Sequence, residues 1–121
     1  MKSFIADSYA WLAYLDGNRD YKGMIEENAI NTPSVIIAEV GKVLFRRGVS
    51  EIQVENILNF IRAKGVVLDF EYENAFKTAK IVKKEKLHFL DAMLYSYATA
   101  ESPILTGDLH FKGKQYVEFV K

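Results

Sequence analysis

The chain has 121 residues, half of them apolar, and its 16 lysines and arginines balance 16 aspartates and glutamates. That is enough for one compact domain spanning residues 1–121 and too little for two of usual size; a neutral balance leaves any contact with a polyanion to local patches. The absence of cysteine excludes disulfides, thiolate metal sites and cysteine nucleophiles and suits a reducing, cytoplasmic setting, while Asp7 and Asp16 interrupt the apolar N-terminal run and argue against a signal peptide or membrane span.

Ser3 to Ala6 reads as a short strand closing on Asp7-Ser8, followed by an aromatic-rich helix that stops at Asp16-Gly17-Asn18. A more polar helix is predicted over Asp20 to Asn28, then a short strand from Ala29 to Thr32, with Pro33 in the first turn of the next helix. Val35, Ile36, Val40, Val43 and Leu44 form a helical stripe that Gly48 terminates, and Ser50 with Gln53 resembles a capping box opening a helix that runs to Lys64-Gly65. Val66 to Leu68 is a further strand. Tyr72 to Lys86 is a helix whose lysine-rich end suits the negative pole of its dipole. A helix from Phe89 to Ala100, a strand at Pro103 to Leu105 ending on Thr106-Gly107-Asp108, and a last strand over Tyr116 to Val120 complete the chain. Regular alternation of helix and strand predicts an α/β fold, a parallel sheet with helices on both faces.

Ligands of such sheets bind beyond the carboxyl ends of the strands, which directs attention to four acids: Asp7, Glu39, Asp91 and Asp108. Each has an ordinary explanation when taken singly. Asp7 or Ser8 can cap a helix, Asp108 can belong to a turn, Asp91 suits the first turn of its helix, and Glu39 can pair with Lys42. Glu39, however, has Val35, Ile36 and Val43 on its own helical face, and all four acids can reach one end of the same sheet. Converging carboxylates repel and lose solvation unless a hard cation neutralises them, so Mg²⁺ or Mn²⁺ and phosphodiester chemistry are expected, with the ion activating a water. The hydroxyls of Ser8 and Thr106 are candidates to hold these carboxylates or bound water.

A hard oxygen site does not require His88 or His110. Lys42, Arg46, Arg47, Lys83, Lys84 and Lys86 could follow a phosphate backbone or simply form a solvated face, and Trp11, Tyr14, Tyr95 and Tyr97 could stack a base or fill the core. The apolar helix from Ser50 to Arg62 is a candidate for self-association.

The segments FIADSYAWLAYL, TPSVIIAEVGKVLFRRG, LHFLDAMLYSYA and ILTGDLHF resemble the PIN domain family and, within it, the VapC-type ribonucleases of toxin-antitoxin pairs. Asp7 matches that family's first-strand aspartate, Glu39 its helical glutamate, Asp91 the aspartate opening the helix before the fourth strand, and Thr106 and Asp108 its threonine-x-aspartate motif. Tyr9 stands where a small polar residue is common, and Ser50 to Lys86 carries few family-specific letters. The resemblance implies a sheet of about five parallel strands, Mg²⁺ or Mn²⁺ in the acidic pocket, endonucleolytic cleavage of RNA, a homodimer and an antitoxin partner. Two rival folds with strand-end aspartates fit less well: a signalling receiver needs paired acids near its start, and a haloacid-dehalogenase-type phosphatase needs an aspartate where Tyr9 stands. A catalytically silent PIN-like binding module, or a housekeeping RNA-processing nuclease without an antitoxin, is the remaining alternative.

Overall fold

In the computed structural model, which describes residues 1–121, the apolar run after Lys2 forms strand β1 (Ser3–Ala6) and turns at Asp7 into helix α1 (Ser8–Leu15). Gly17 follows that helix at φ +88°, a left-handed conformation that side chains rarely adopt. Asn18 then opens α2 (Arg19–Glu26) by accepting from the amides of Asp20 and Tyr21. Strand β2 (Ala29–Pro33) leads into α3 (Ser34–Arg46), so Pro33 ends the strand and precedes the helix instead of lying in its first turn. The Ser50 hydroxyl accepts from the Gln53 amide at 3.3 Å and starts α4 (Glu51–Lys64). Strand β3 (Val66–Leu68), helices α5 (Tyr72–Glu85) and α6 (Phe89–Tyr95), strand β4 (Ile104–Thr106), a 3-10 turn (Leu109–Phe111) and strand β5 (Val117–Phe119) follow.

Helix α6 stops at Tyr95, short of the predicted Ala100. The Ser96 hydroxyl turns back to donate to the Met93 carbonyl at 2.6 Å and accepts from Asn74 of α5 at 3.2 Å. A serine that bonds its own backbone competes with helix propagation.

The five strands form one all-parallel sheet in the order β3-β2-β1-β4-β5. Strand order reverses between β1 and β4, where Ala6 lies opposite Leu105. Helices α1 to α4 connect β1, β2 and β3, and α5 and α6 carry the chain back across the sheet to β4; by the right-handed rule for parallel crossovers the two groups belong on opposite faces. Phe4, Ile5, Ile104 and Leu105 are buried between these layers, and together they make the strand ends at the reversal a rigid platform.

The aromatics considered for base stacking are largely structural. Trp11 is fully buried and donates its indole N–H to Thr32 Oγ1 at 3.0 Å, while the Tyr95 and Tyr97 hydroxyls donate to the carbonyls of Gln115 and Asp69. Tyr14 stacks on Phe60 of α4 with ring centroids 6.1 Å apart. On α4, Val54 and Ile61 face the core and Ile52 is left 75 % exposed. No helix is long and apolar enough to cross a membrane.

Candidate active site

The parallel pairing that joins β1 to β4 continues one residue past β1, with the Asp7 amide donating to the Leu105 carbonyl at 3.2 Å. This sets Asp7 beside Thr106, whose hydroxyl donates to Asp7 Oδ2 at 2.6 Å and accepts from the Asp108 amide at 3.0 Å. One buried hydroxyl therefore ties together the ends of the two strands at the reversal point. Gly107 lies between, where a β-carbon would run into the Tyr9 ring and the Val120 carbonyl. The tight passage of the chain at Gly107 thus depends on the absence of a side chain.

Asp7 also caps α1, because its Oδ1 accepts from the Ser8 amide at 2.7 Å. Helix capping and membership of the acidic cluster are thus the same placement seen twice. The Ser8 hydroxyl donates to Glu39 Oε1 at 2.5 Å and links α3 to the cluster. Glu39 forms no ion pair with Lys42; its carboxylate turns inward to Ser8. Asp91 sits in the first turn of α6. Asp108 caps the 3-10 turn by accepting from the His110 amide at 2.9 Å, and that turn swings His110 Nδ1 to 3.5 Å from Asp91 Oδ2 and 3.4 Å from Asp108 Oδ1.

Asp7 is only 4 % exposed, and burial pushes its carboxyl up from an ordinary 3.8 to about 6. The Thr106 and Ser8 bonds oppose that rise, whereas the charges of Glu39 and Asp91 reinforce it. Asp91 is likewise raised, first by burial and then by the charge of Asp108, with the imidazole of His110 acting the other way. No lysine or arginine pairs with any of the four acids. Apart from the His110 imidazole, the pocket therefore gathers negative charge that no side-chain cation pairs.

Asp91, Asp108 and His110 each offer a ligand atom, all within 4.8 Å of one another. Opposite ligands of an octahedral Mg²⁺ stand about 4.2 Å apart, so this donor set fits a divalent ion after shifts of a few tenths of an ångström. Two carboxylates with one imidazole also suit Mn²⁺. A hard oxygen site does not call for His110, and its place among the acids is set locally: the 3-10 turn after Asp108 brings its ring back over them. The spacing Asp108-x-His110 carried the one available signal. A cleft of about 620 Å³ opens beside Asp108 and is lined by Tyr9, Leu109, Lys112, Phe119 and Lys121.

An all-parallel α/β sheet with carboxylates gathered where its strand order reverses defines the class of fold and site. The chain belongs to the PIN domain family, whose model matches residues 4–114, and PIN domains are typically nucleases. Among solved structures, the chain is similar to a toxin-antitoxin complex from Klebsiella pneumoniae, with TM-score 0.77, 18% identity and 96% of each chain covered. It is also similar to VapBC2 from Rickettsia felis bound to a DNA fragment from the promoter, with TM-score 0.76, 17% identity and 98% of each chain covered. A third likeness is to VapBC-5 of Mycobacterium tuberculosis, with TM-score 0.66, 19% identity, and 100% of this chain and 99% of that chain covered. At these identities the likeness concerns the fold. No curated protein sequence matches the chain.

Proposed function

We propose that this protein is a metal-dependent endoribonuclease that hydrolyses RNA phosphodiesters, acting as the toxin of a toxin-antitoxin pair. The observation that carries the reading is the gathering of Asp7, Glu39, Asp91 and Asp108, with no lysine or arginine partner, at the reversal point of the sheet. Asp7, Asp91 and Asp108 would hold Mg²⁺ or Mn²⁺, with Glu39 completing the acidic set and His110 within reach of the same ion. When bound, such an ion lowers the pKa of a coordinated water and offsets charge on the phosphate.

The residues of the chain supply the orientation. Thr106 fixes the rotamer of Asp7 and the backbone of Asp108 together, and Ser8 couples Asp7 to Glu39. Burial of Asp7 makes its charge costly without a cation, which favours binding of a counter-ion over a bare carboxylate. No nucleophilic side chain is required, because the attacking group is water.

Incubating the purified protein with mixed single-stranded RNA and Mn²⁺ tests the activity. Internal cleavage that disappears with chelator and in Asp7→Asn is expected; retention of RNA without cleavage would instead identify a silent binding module. The toxin assignment is supported by the VapBC complexes among the structural neighbours. It predicts an adjacent reading frame encoding a small protein that co-purifies with this chain and suppresses the cleavage. Unaltered activity in the presence of that neighbour, or no such frame, would favour the housekeeping nuclease.

A further inference from the structure

A second cleft of about 320 Å³ runs between α5, α6 and the start of β5. Lys77, Lys80 and Lys84 form one wall, at the spacing that puts residues on a single helical stripe, and Tyr95 and Tyr116 contribute aromatic surface. None of the three lysines has an ion-pair partner. The one acid in the lining, Glu85, is already engaged by Lys114 at 3.0 Å. A neutral protein thus concentrates three uncompensated positive charges in one recess.

The surroundings of this recess are aromatic and exposed. Tyr72 and Phe76, one helical turn apart on α5, are 85 % and 59 % exposed, and Lys80 Nζ lies 5.1 Å from the centre of the Phe76 ring. Tyr116 holds its backbone at φ +59°, uncommon for a residue with a side chain, while its carbonyl accepts from the Ile104 amide at the entrance to β4. Lysines interleaved with solvent-facing rings are the pattern that binds single-stranded nucleic acid, with phosphates on the ammonium groups and bases on the rings. The recess also lies close to the acidic pocket. Tyr95 follows Asp91 by four residues of α6, a rise of about 6 Å, and packs on Phe111, the neighbour of His110, at 6.2 Å between ring centres.

We infer that the α5–α6 cleft is an RNA-docking exosite, in which Lys77, Lys80 and Lys84 hold backbone phosphates of a single strand whose scissile bond lies in the acidic pocket. This rests on the reading of the protein as a ribonuclease and specifies where its substrate is held. The cleft supplies affinity for strands long enough to leave the acidic pocket, and it takes no part in the bond-breaking step.

The test is binding of a fluorescein-labelled single-stranded RNA dodecamer by anisotropy, in chelator so that nothing is cut, across a salt series. Wild type is compared with the triple variant Lys77→Gln, Lys80→Gln, Lys84→Gln and with the corresponding triple arginine variant. Each phosphate contact on a single strand contributes about 0.7 to the slope of log affinity against log salt. The glutamine variant should therefore lose about 2 from that slope and at least tenfold in affinity, and the arginine variant should retain both. With Mn²⁺ present, the glutamine variant should show a raised KM for the dodecamer and an unchanged kcat. Affinity and slope equal to wild type in the glutamine variant would overturn the exosite. So would a change confined to oligomeric state, read by size-exclusion chromatography, with RNA affinity preserved. Salt-dependent binding that needs the lysines, in a protein that cuts no RNA, would defeat the nuclease reading and leave the cleft as an RNA-binding site without a scissile bond beside it.

Discussion

Replacing Asp7 by asparagine should stabilise the metal-free protein at neutral pH while destroying its response to metal. A carboxyl whose pKa rises from 3.8 to about 6 on folding makes the ionised folded state less favourable by about 3 kcal/mol, at about 1.4 kcal/mol per pH unit. Folded Asp7 holds its proton more tightly than the unfolded chain does. Between about pH 4 and pH 6 the folded state therefore binds the extra proton, and stability falls as pH rises, levelling off above about pH 6. Asparagine has no such slope. Its single oxygen can still accept from the Ser8 amide, but its NH₂ must then face the Thr106 hydroxyl, which now donates to Asp7 Oδ2. Re-pairing that hydroxyl costs about 1 kcal/mol, leaving a net gain of about 1–2 kcal/mol at pH 7.5 and a raised Tm of roughly 3–8 °C. Thermal unfolding of both proteins in chelator at pH 4 and pH 7.5, repeated with saturating Mn²⁺, reads this directly. Mn²⁺ at a hundred times its Kd should add about 3 kcal/mol to wild type and much less to the variant. A variant less stable than wild type at pH 7.5 in chelator, with the difference unchanged at pH 4, would refute the argument that burial of Asp7 stores a cost that a cation relieves.

Thr106→Val removes both the donor to Asp7 and the acceptor for the Asp108 amide; Mn²⁺ affinity by calorimetry should fall about 10- to 100-fold, and an unchanged affinity would remove Thr106 from the positioning role. His110→Ala should weaken Mn²⁺ more than Mg²⁺, because imidazole favours the softer ion; equal losses for both would exclude His110 Nδ1 as a ligand despite its position near Asp91 and Asp108. Gly65→Ala puts a β-carbon into the Ile30 carbonyl where β3 begins, and the urea midpoint should fall by the equivalent of about 2–3 kcal/mol.

The fold was legible because the chain alternates short apolar runs with helical stripes, and helix ends carry their usual punctuation at Gly17, Asn18, Ser50 and Gly65. The acids were visible for a related reason. Strand ends are local features, so Asp7 and Asp108 could be located from the runs before them, and Glu39 stood out against its apolar helical neighbours. What pairwise contacts decide was not legible. Glu39 turning to Ser8 instead of Lys42, His110 folding back over two acids, and Ser96 ending α6 early all depend on side chains from other elements or on a turn only three residues long. The same limit applies to the aromatics: composition reports Trp11 and Tyr72 alike, and only packing separates the buried indole from the exposed phenol.

Anomalous diffraction from crystals soaked in Mn²⁺ is the most direct measurement of whether these carboxylates form one metal pocket. A peak is predicted within about 2.2 Å of oxygens from Asp91 and Asp108, on the side facing Asp7 and Glu39, and absent from crystals of Asp108→Asn. No peak at that position in wild type at saturating Mn²⁺, or a peak that persists in Asp108→Asn, would contradict it.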